Sequence, residues 1–274
     1  VKSGIYEAQT SCTSYVKAQR LMSFSGVDWV IDIGSGKQDI GKYIRANFSK
    51  VIAIDNDGAA LVELIKRRYD LAKGNITPIT LHTLKADINQ PYKAIIPQIE
   101  KFGVSIGGAD LVVCNLAIHY FIQDIDHIRN FAGLCNTMLK SGGSVSITCL
   151  FGSAVFKQLS EDKIKYGESW DRYQQDVLKY SIKRLFKDNT LTTVGQKIGV
   201  LLPFSAGGYY EEYLVNEETL ISEFSKINFD LVVKDSFDIK FKGFEANDRT
   251  KYDKLIDIDF EFLKLFGEMV FKKK

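Results

Sequence analysis

Residues 27–40 have the sequence VDWVIDIGSGKQDI, in which an apolar run ends in a glycine-rich turn. The run VDWVIDIG (27–34) has the length and composition of a buried strand, and residues 38–48 then have the spacing of a helix. A strand that passes through such a turn into a helix is the first unit of a βαβ fold. We therefore predict a parallel sheet whose first strand ends at Gly34.

The chain continues this alternation as far as Leu150. Further strands are predicted at 51–55, 76–87, 109–121 and 144–150, and helices at 7–24, 58–71, 91–102 and 123–139. Strands alternating with helices of this length predict an α/β fold with a doubly wound, mainly parallel sheet.

Residues 151–205 interrupt the alternation and predict an insertion within a single domain that spans 1–274. Because EDKIKYGESWDRYQQDVLKYSIKRLFKD (161–188) is charge-mixed and helix-like, we expect an inserted helical segment that forms a lid over the sheet. A strand, a helix and two strands then follow at 209–215, 217–227, 229–237 and 265–273. The last two strands are expected as a hairpin-like pair, which brings the sheet to about seven strands.

The composition describes an ordinary globular protein, with 45% hydrophobic and 26% charged residues among 274. These fractions exclude a disordered, collagen-like or disulfide-rich chain. Lys and Arg number 36 and Asp and Glu 34, a formal net charge of +2. A nucleic-acid partner would therefore have to be held by a local patch and not by bulk charge.

The sequence has no mark of a membrane or secreted protein. No apolar stretch approaches the roughly 18–20 residues that span a bilayer, and the start has no signal-peptide core. Four cysteines without CxxC pairing, Cys12, Cys114, Cys135 and Cys149, are expected as core residues in a reducing compartment. We expect a cytoplasmic protein. The start at Val1 instead of Met indicates a domain of a longer polypeptide or a processed chain.

The turn DIGSGK (32–37) does not match a dinucleotide-binding fingerprint. The third glycine of that fingerprint is replaced by Asp39, and an acidic residue at a helix N-terminus suits a pyrophosphate poorly. The pattern of Asp32, Gly34 and Gly36 suits an amino-acid ligand, with an acidic group near its ammonium. It resembles motif I of S-adenosylmethionine (SAM) methyltransferases, and a purely structural βα turn is the alternative.

Two more carboxylates follow predicted strands. Asp55 ends the second strand, where a carboxylate can accept both ribose hydroxyls of an adenosyl group, and Asp87 ends the third, suited to the adenine amine. The alternative for Asp55 is a helix cap, although Asp57 is better placed for that role. The alternative for Asp87 is a turn residue ahead of Asn89. With about seven strands, the resemblance implies a class I SAM-dependent methyltransferase fold, with SAM as cofactor and no metal.

The segment CNLAIHYF (114–121), at the end of the fourth strand, points to one family among the methyltransferases. An amide followed by His-Tyr is similar to the corresponding loop of mRNA cap guanine-N7 methyltransferases. The resemblance implies that Asn115 and Tyr120 line the SAM pocket and that His119 touches the cap guanine. A buried histidine in an apolar loop is the alternative.

The segment TSYVK (13–17) lies where that family has an Asn-Asn-aromatic-x-Lys helix. The resemblance implies that Lys17 reaches the SAM carboxylate. It also gives Ser14 the position of a cap-contacting asparagine.

Two further matches lie nearer the C-terminus. EEYLV (211–215) resembles the family's Glu-aromatic-Leu-Val strand, whose glutamate reads guanine, and the register favours Glu212 over Glu211. Phe266 falls where the family commonly has a tyrosine stacked by the cap. For the cap triphosphate we expect Lys37, beside the glycine-rich turn.

These residue types suit methyl transfer to guanine N7. An ionised carboxylate at Glu212 can accept both N1–H and N2–H₂ of guanine, and adenine lacks that donor pair. N7 has a free lone pair and a sulfonium is an activated donor, so we expect catalysis by alignment, with no catalytic residue.

The sequence therefore predicts a viral mRNA (guanine-N7) methyltransferase acting on capped RNA. Triphosphatase and guanylyltransferase domains are expected in the same polypeptide, with an activating subunit possible. The alternatives are a SAM methyltransferase with another nucleic-acid or small-molecule substrate and a non-catalytic methyltransferase-like RNA-binding subunit. A dehydrogenase is the weakest option, given Asp39.

Overall fold

The computed structural model describes residues 3–73, 79–201 and 208–274. The strands in this part of the chain are β1 (Trp29–Ile33), β2 (Lys50–Asp55), β3 (Thr80–Lys85), β4 (Ala109–Asn115), β5 (Leu139–Leu150), β6 (Ser169–Gln174), β7 (Val177–Arg184), β8 (Lys197–Leu201), β9 (Tyr209–Tyr213), β10 (Phe229–Ser236) and β11 (Phe266–Lys273). The α-helices are α1 (Glu7–Met22), α2 (Ile40–Arg45), α3 (Gly58–Ala72), α4 (Tyr92–Glu100), α5 (Ile125–Met138), α6 (Gly152–Glu161), α7 (Glu217–Ser225), α8 (Phe241–Asn247), α9 (Arg249–Tyr252) and α10 (Asp257–Leu263).

The main sheet has the strand order β10-β11-β5-β4-β1-β2-β3. Neighbours from β5 to β3 pair in parallel, and β11 runs antiparallel to both β5 and β10. The central strands are apolar on both faces because helices cover both sides, as in doubly wound folds. The predicted fold class is confirmed, and each predicted strand and helix up to Leu150 has its counterpart.

The chain order reverses between β1 and β4, because β2 and β3 lie to one side of β1 and β4 and β5 to the other. In open α/β sheets, ligands bind outside the carboxyl ends of the strands at such a switch point. The fold thus directs attention to the residues that follow Ile33, Asp55, Lys85 and Asn115.

The prediction of an inserted helical segment is wrong for most of 151–205. Among the described residues of this range only α6 is helical, whereas β6, β7, β8 and β9 form a second, antiparallel sheet. Gln175 and Asp176 both have positive φ, +48° and +60°, as in the tight turn of a two-residue hairpin. Lys179, Tyr180, Ser181 and Ile182 of β7 are all buried, so this strand lacks the alternation of buried and exposed residues by which a half-buried strand is recognised. Residues 202–205, and Pro203 and Phe204 with them, lie outside the described residues.

A buried ion pair fastens the inserted sheet to α10. The Nζ atom of Lys179 lies 2.6 Å from Oδ1 of Asp259, and both side chains are at most 2% exposed. The Tyr180 hydroxyl donates to the same oxygen at 2.5 Å. Removing one member would leave the other charge buried and unpaired, which costs about 3–5 kcal/mol.

The pair formed by β10 and β11 is confirmed, but a hairpin loop does not join these strands. The segment between them contains α8, α9 and α10, which the sequence analysis did not predict. Its apolar residues, including Phe237, Phe244 and Leu263, pack on Cys12 and Val16 of α1. This packing fixes α1 beside the strand ends.

The cysteines are buried thiols, as expected of core residues. In the described ranges no helix is long and apolar enough to cross a membrane.

Candidate functional site

Two neighbouring cavities lie at the carboxyl ends of the parallel strands, and Leu116 and Tyr120 line both of them. The strand-end cavity measures about 380 Å³ and is lined by residues that follow β1, β2, β3 and β4. The inter-sheet cavity measures about 460 Å³ and is bordered by α1, the second sheet and α10. A ligand that filled one cavity would therefore adjoin a ligand in the other.

Gly34 lines the strand-end cavity where β1 ends. Its φ is +67°, which favours glycine, and a Cβ atom added here would lie 2.3 Å from the Cβ of Ala117. The missing side chain lets the turn approach the loop after β4.

Asp55 and Asp87 line the same cavity, as the sequence analysis predicted for neighbouring strand ends. Asp55 accepts the backbone N–H of Gly36 at 2.8 Å and that of Asp57 at 2.9 Å. The helix cap belongs to Asp57, which accepts the N–H of Ala59 at 2.8 Å. Asp55 is therefore not the cap.

Asp87 combines both predicted roles. Its Oδ1 atom accepts the backbone N–H of Asn89 at 2.9 Å, which is the turn contact, and its side chain still borders the cavity. The turn alone therefore does not account for its position.

Lys17, Asp39 and Lys42 form a charged group at the edge of the inter-sheet cavity. The Asp39 carboxylate lies 3.0 Å from the Lys17 ammonium and 2.6 Å from that of Lys42. Burial opposes ionisation of Asp39, but the two ammonium groups outweigh it and lower its pKa. Two cations against one carboxylate leave a net positive charge beside the cavity, which favours an anionic ligand group.

Asp32 and Asn115 lie behind the cavity walls. The Tyr43 hydroxyl donates to Oδ2 of Asp32, Oδ1 has no partner in the described chain, and burial raises the pKa of this carboxyl to about 7. The Asn115 amide donates to Asp39 at 3.4 Å and accepts from Thr148 at 3.0 Å. Neither residue is part of either cavity's lining, so any contact with a ligand stays a prediction.

His119 and Glu212 face each other in the inter-sheet cavity, although 93 positions separate them in the chain. His119 Nε2 lies 3.5 Å from Glu212 Oε1, and the two residues are 7% and 4% exposed. Burial lowers the pKa of His119 to about 3 and raises that of Glu212 to about 8. Neither His119 ring nitrogen has a hydrogen-bond partner in the described chain, an uncommon state for a buried polar group.

Glu211 points away from this cavity. It is exposed and lies 3.1 Å from Lys197, so the register predicted for the EEYLV segment holds and Glu212 is the inward glutamate. A strand turns alternate residues to opposite faces, which also brings Tyr210 to the strand-end cavity.

The remaining predicted residues divide between the cavity and the surface. Ser14 and Phe266 line the inter-sheet cavity. Phe266 packs edge-on against Phe262 with 5.2 Å between ring centroids. Lys37 is exposed, lines neither cavity and makes no ion pair with the described residues, so its role stays a prediction.

The lining residues that sequence reasoning missed include Lys42, Leu116, Tyr180 and Tyr210. Tyr210 could have been found from its spacing of two from Glu212. Leu116 has a φ of +56°, a strained value for leucine, and no sequence motif predicts this backbone conformation. No group of His, Cys, Asp and Glu within the described ranges is arranged to hold a metal ion.

The sequence is similar to viral proteins that are much longer than this chain. It is 38% identical over 276 residues to an mRNA-capping enzyme of African swine fever virus (isolate Tick/South Africa/Pretoriuskop Pr4/1996), which covers 99% of the chain and 32% of that enzyme. It is 27% identical over 229 residues to a probable mRNA-capping enzyme of Acanthamoeba polyphaga mimivirus, covering 76% of the chain and 20% of that protein. The chain thus spans about a third of the length of the first relative. No protein-family model matches it.

Solved structures share the fold at low sequence identity. The CcbJ methyltransferase of Streptomyces caelestis aligns with a TM-score of 0.58 at 12% identity, over 96% of each chain. A SAM-dependent methyltransferase from Clostridium acetobutylicum aligns with a TM-score of 0.55 at 13% identity, over 100% of this chain and 92% of that one. The fold is that of class I SAM-dependent methyltransferases. The viral relatives confirm the resemblance to mRNA-capping enzymes.

Proposed function

We propose that this chain, which is similar over nearly its whole length to a third of a viral mRNA-capping enzyme and has the class I methyltransferase fold, methylates the cap of mRNA at guanine N7 with SAM as donor. The observation that carries the proposal is the pair of His119 and Glu212. Both residues are buried and line a cavity that adjoins the strand-end cavity, and neither ring nitrogen of His119 has a hydrogen-bond partner among the described residues.

The residues around the strand-end cavity fit SAM. A Cβ atom at Gly34 would fill the space beside Ala117, and one oxygen of the buried Asp32 has no partner in the part of the chain that the structure describes. Asp55 would hold the ribose and Asp87 the adenine amine. Lys17 and Lys42, at the edge of the adjoining inter-sheet cavity, would hold the carboxylate. When bound, SAM supplies an electrophilic methyl group on a sulfonium.

Glu212 and His119 complement the pairing edge of guanine. An ionised Glu212 can accept from N1–H and N2–H₂, and a neutral His119 can donate to O6 from either ring nitrogen. The low pKa of His119, caused by burial, keeps it neutral. Adenine has an acceptor at N1, so it would leave the carboxylate unpaired, which is costly in a buried site.

The chain's own residues contribute alignment and charge to the reaction. Guanine N7 needs no general base, and holding it in line with the methyl group can save about 7–11 kcal/mol. Because N7 becomes cationic as the methyl is transferred, the Glu212 carboxylate also favours the transition state.

The proposed substrate is the capped end of an RNA. Phe266 would stack on the cap guanine, Ser14 would border it, and Lys37 would meet the triphosphate. In a longer polypeptide we expect triphosphatase and guanylyltransferase domains to supply the unmethylated cap, in the host cytoplasm or the virion.

The test is the position of the transferred methyl. Capped RNA is incubated with methyl-labelled SAM and digested to nucleosides, and we expect the label in 7-methylguanosine. Label in any other product would favour a methyltransferase with a different acceptor and would refute the N7 proposal.

Lys42→Met should weaken SAM binding by about ten- to a hundredfold, the effect of losing one charge-assisted contact of roughly 1.5–3 kcal/mol. Calorimetric titration with SAM measures it. Lys66→Met, at an exposed lysine that makes no ion pair with the described residues, is the matched control and should bind as the unmodified protein does. Equal affinities for all three proteins would remove Lys42 from the cofactor site.

The KM for a capped substrate should fall as the pH rises from about 6.5 to about 8.5 at saturating SAM. Guanine binds the ionised carboxylate, and burial raises the pKa of Glu212 to about 8. At pH 7 only about a tenth of the free protein is then competent, so the KM should be about tenfold above its high-pH plateau. A KM that does not change over this range would contradict the assignment of Glu212.

A further inference from the structure

We propose that the inserted sheet carries a second RNA-binding site, a basic cleft that holds phosphates of the transcript just behind its cap. The inference rests on the proposed function for the identity of the RNA. The cleft measures about 440 Å³ and lies between the end of α6, the loop that follows it and the end of β7. Its charged lining consists of Lys163, Lys165, Arg184 and Lys187.

The charge of this cleft is not neutralised from within the protein. The three lysines are exposed and make no ion pair with the described residues, and no carboxylate in the described chain lines the cleft. Two nearby acids are engaged outside the cleft, Asp162 with Arg172 at 3.1 Å and Asp188 with the Gln196 amide at 3.2 Å. Glu168 does not line the cleft and accepts the backbone N–H of Lys165 at 2.8 Å. The chain's net charge is only +2, so a local cluster of this kind is what binding to RNA requires.

Arg184 makes the cleft a built feature and not a chance group of surface lysines. It is 9% exposed, and its guanidinium donates to the carbonyl oxygens of Ile164 at 2.9 Å, Phe186 at 3.2 Å and Asp188 at 2.5 Å. These partners fix both loops of the cleft, yet none carries a negative charge. A guanidinium has five N–H donors, so two remain after these bonds.

Lys163 occupies a backbone position that favours glycine. Its φ is +55° directly after the C-cap of α6, and the next residue closes the helix by donating its N–H to Leu159 at 2.8 Å. Glycine would adopt this conformation at lower cost, so the backbone geometry alone does not explain a lysine here.

Tyr166 adds a surface on which a base can stack. Its side chain is 57% exposed, and the Lys187 ammonium lies 5.2 Å from the ring centroid. Exposed aromatic rings among unpaired cations are typical of single-strand binding sites, where phosphates meet the cations and bases meet the rings.

The cleft is close enough to the inter-sheet cavity for one RNA to reach both. Tyr180 lines that cavity and Arg184 lines the cleft, and both lie on the same face of β7. Four residues of strand separate them, a distance of about 13 Å. An RNA whose cap guanine meets Glu212 would therefore reach the cleft within its first few nucleotides.

The experiment compares the charge reversal Lys163→Glu/Lys165→Glu/Lys187→Glu with the control reversal Lys101→Glu/Lys254→Glu/Lys272→Glu. The control lysines are exposed and form no ion pair within the described ranges. The substrates are the GpppA dinucleotide and a GpppA-capped RNA of about 20 nucleotides. In the cleft variant the KM for the RNA should rise at least about tenfold, and the KM for the dinucleotide should change less than about twofold. The salt dependence of the RNA KM should lose roughly two units of logarithmic slope, about 0.7 for each lost contact. The control variant should behave as the unmodified protein does.

Fluorescence anisotropy with an uncapped RNA of the same length separates this inference from the proposed function. If no protein methylates either substrate, N7 methylation fails, and weaker RNA binding by the cleft variant alone would still support the cleft. Lys163→Gly keeps the backbone conformation, so it should leave the unfolding temperature unchanged or higher and weaken RNA binding by a few fold. Equal RNA affinity in the unmodified protein and the cleft variant, or equal losses in both triple variants, would overturn the inference.

Discussion

Glu212→Gln should lower kcat/KM for capped RNA by about 10⁴-fold while the affinity for SAM changes less than about twofold. Glutamine has nearly the same size, so the cavity keeps its shape. The glutamine amide has one acceptor oxygen, and its NH₂ group faces a donor of guanine. One charge-assisted hydrogen bond becomes a weaker neutral one, and the other is replaced by two donors that face each other.

Glu211→Gln is the matched control, because Glu211 is adjacent in sequence, exposed and paired with Lys197. It should leave kcat/KM within about twofold, since exposed ion pairs contribute little. Similar losses in the two variants, or a loss of SAM affinity in Glu212→Gln, would show that Glu212 does not select guanine.

Gly34→Ala should weaken SAM binding by at least about a hundredfold. The new Cβ atom would lie 2.3 Å from the Ala117 Cβ atom, and the φ of +67° adds strain. The loop after β4 must then move, and with it Leu116 and Tyr120, which line both cavities. A displacement of about 1 Å can cost a factor of about 10² at such a site.

Three variants separate the clash from other effects. Gly36→Ala shares a positive φ but has open space around the new Cβ atom, so it should cost only about 1 kcal/mol of stability. Gly41→Ala, also in open space but within α2, should stabilise by about 0.5–1 kcal/mol. Gly34→Ala combined with Ala117→Gly removes the overlapping atom and should recover part of the SAM affinity. No loss in Gly34→Ala would contradict the position of the cofactor.

The main sheet and the acidic strand ends could be predicted because each depends on local sequence. Apolar runs of strand length gave β1, β2 and β4, and parallel strands end at one edge, so Asp55 and Asp87 had to lie near each other. The register of the EEYLV resemblance favoured Glu212 over Glu211, and Glu212 is the one that lines the inter-sheet cavity.

The rest depends on contacts between distant residues. Lys42 reaches the cavity edge because the packing of α2 lets its ammonium pair with Asp39, which also pairs with Lys17 of α1. The spacing of residues within α2 does not reveal the contact with Lys17. Charges along β6 and β7 resembled a helix, whereas the turn at Gln175 and Asp176 forms a hairpin. The closeness of His119 to Glu212 follows from the second sheet, which the sequence analysis did not predict.

The central claim is that Glu212 and His119 present a guanine cap to SAM. The most direct test is transfer of labelled methyl from SAM to GpppA-capped RNA, with ApppA-capped RNA of the same sequence alongside. We expect label in the GpppA-capped RNA only, recovered as 7-methylguanosine. Equal labelling of both RNAs, or labelling of neither by a protein that binds SAM, would contradict the claim.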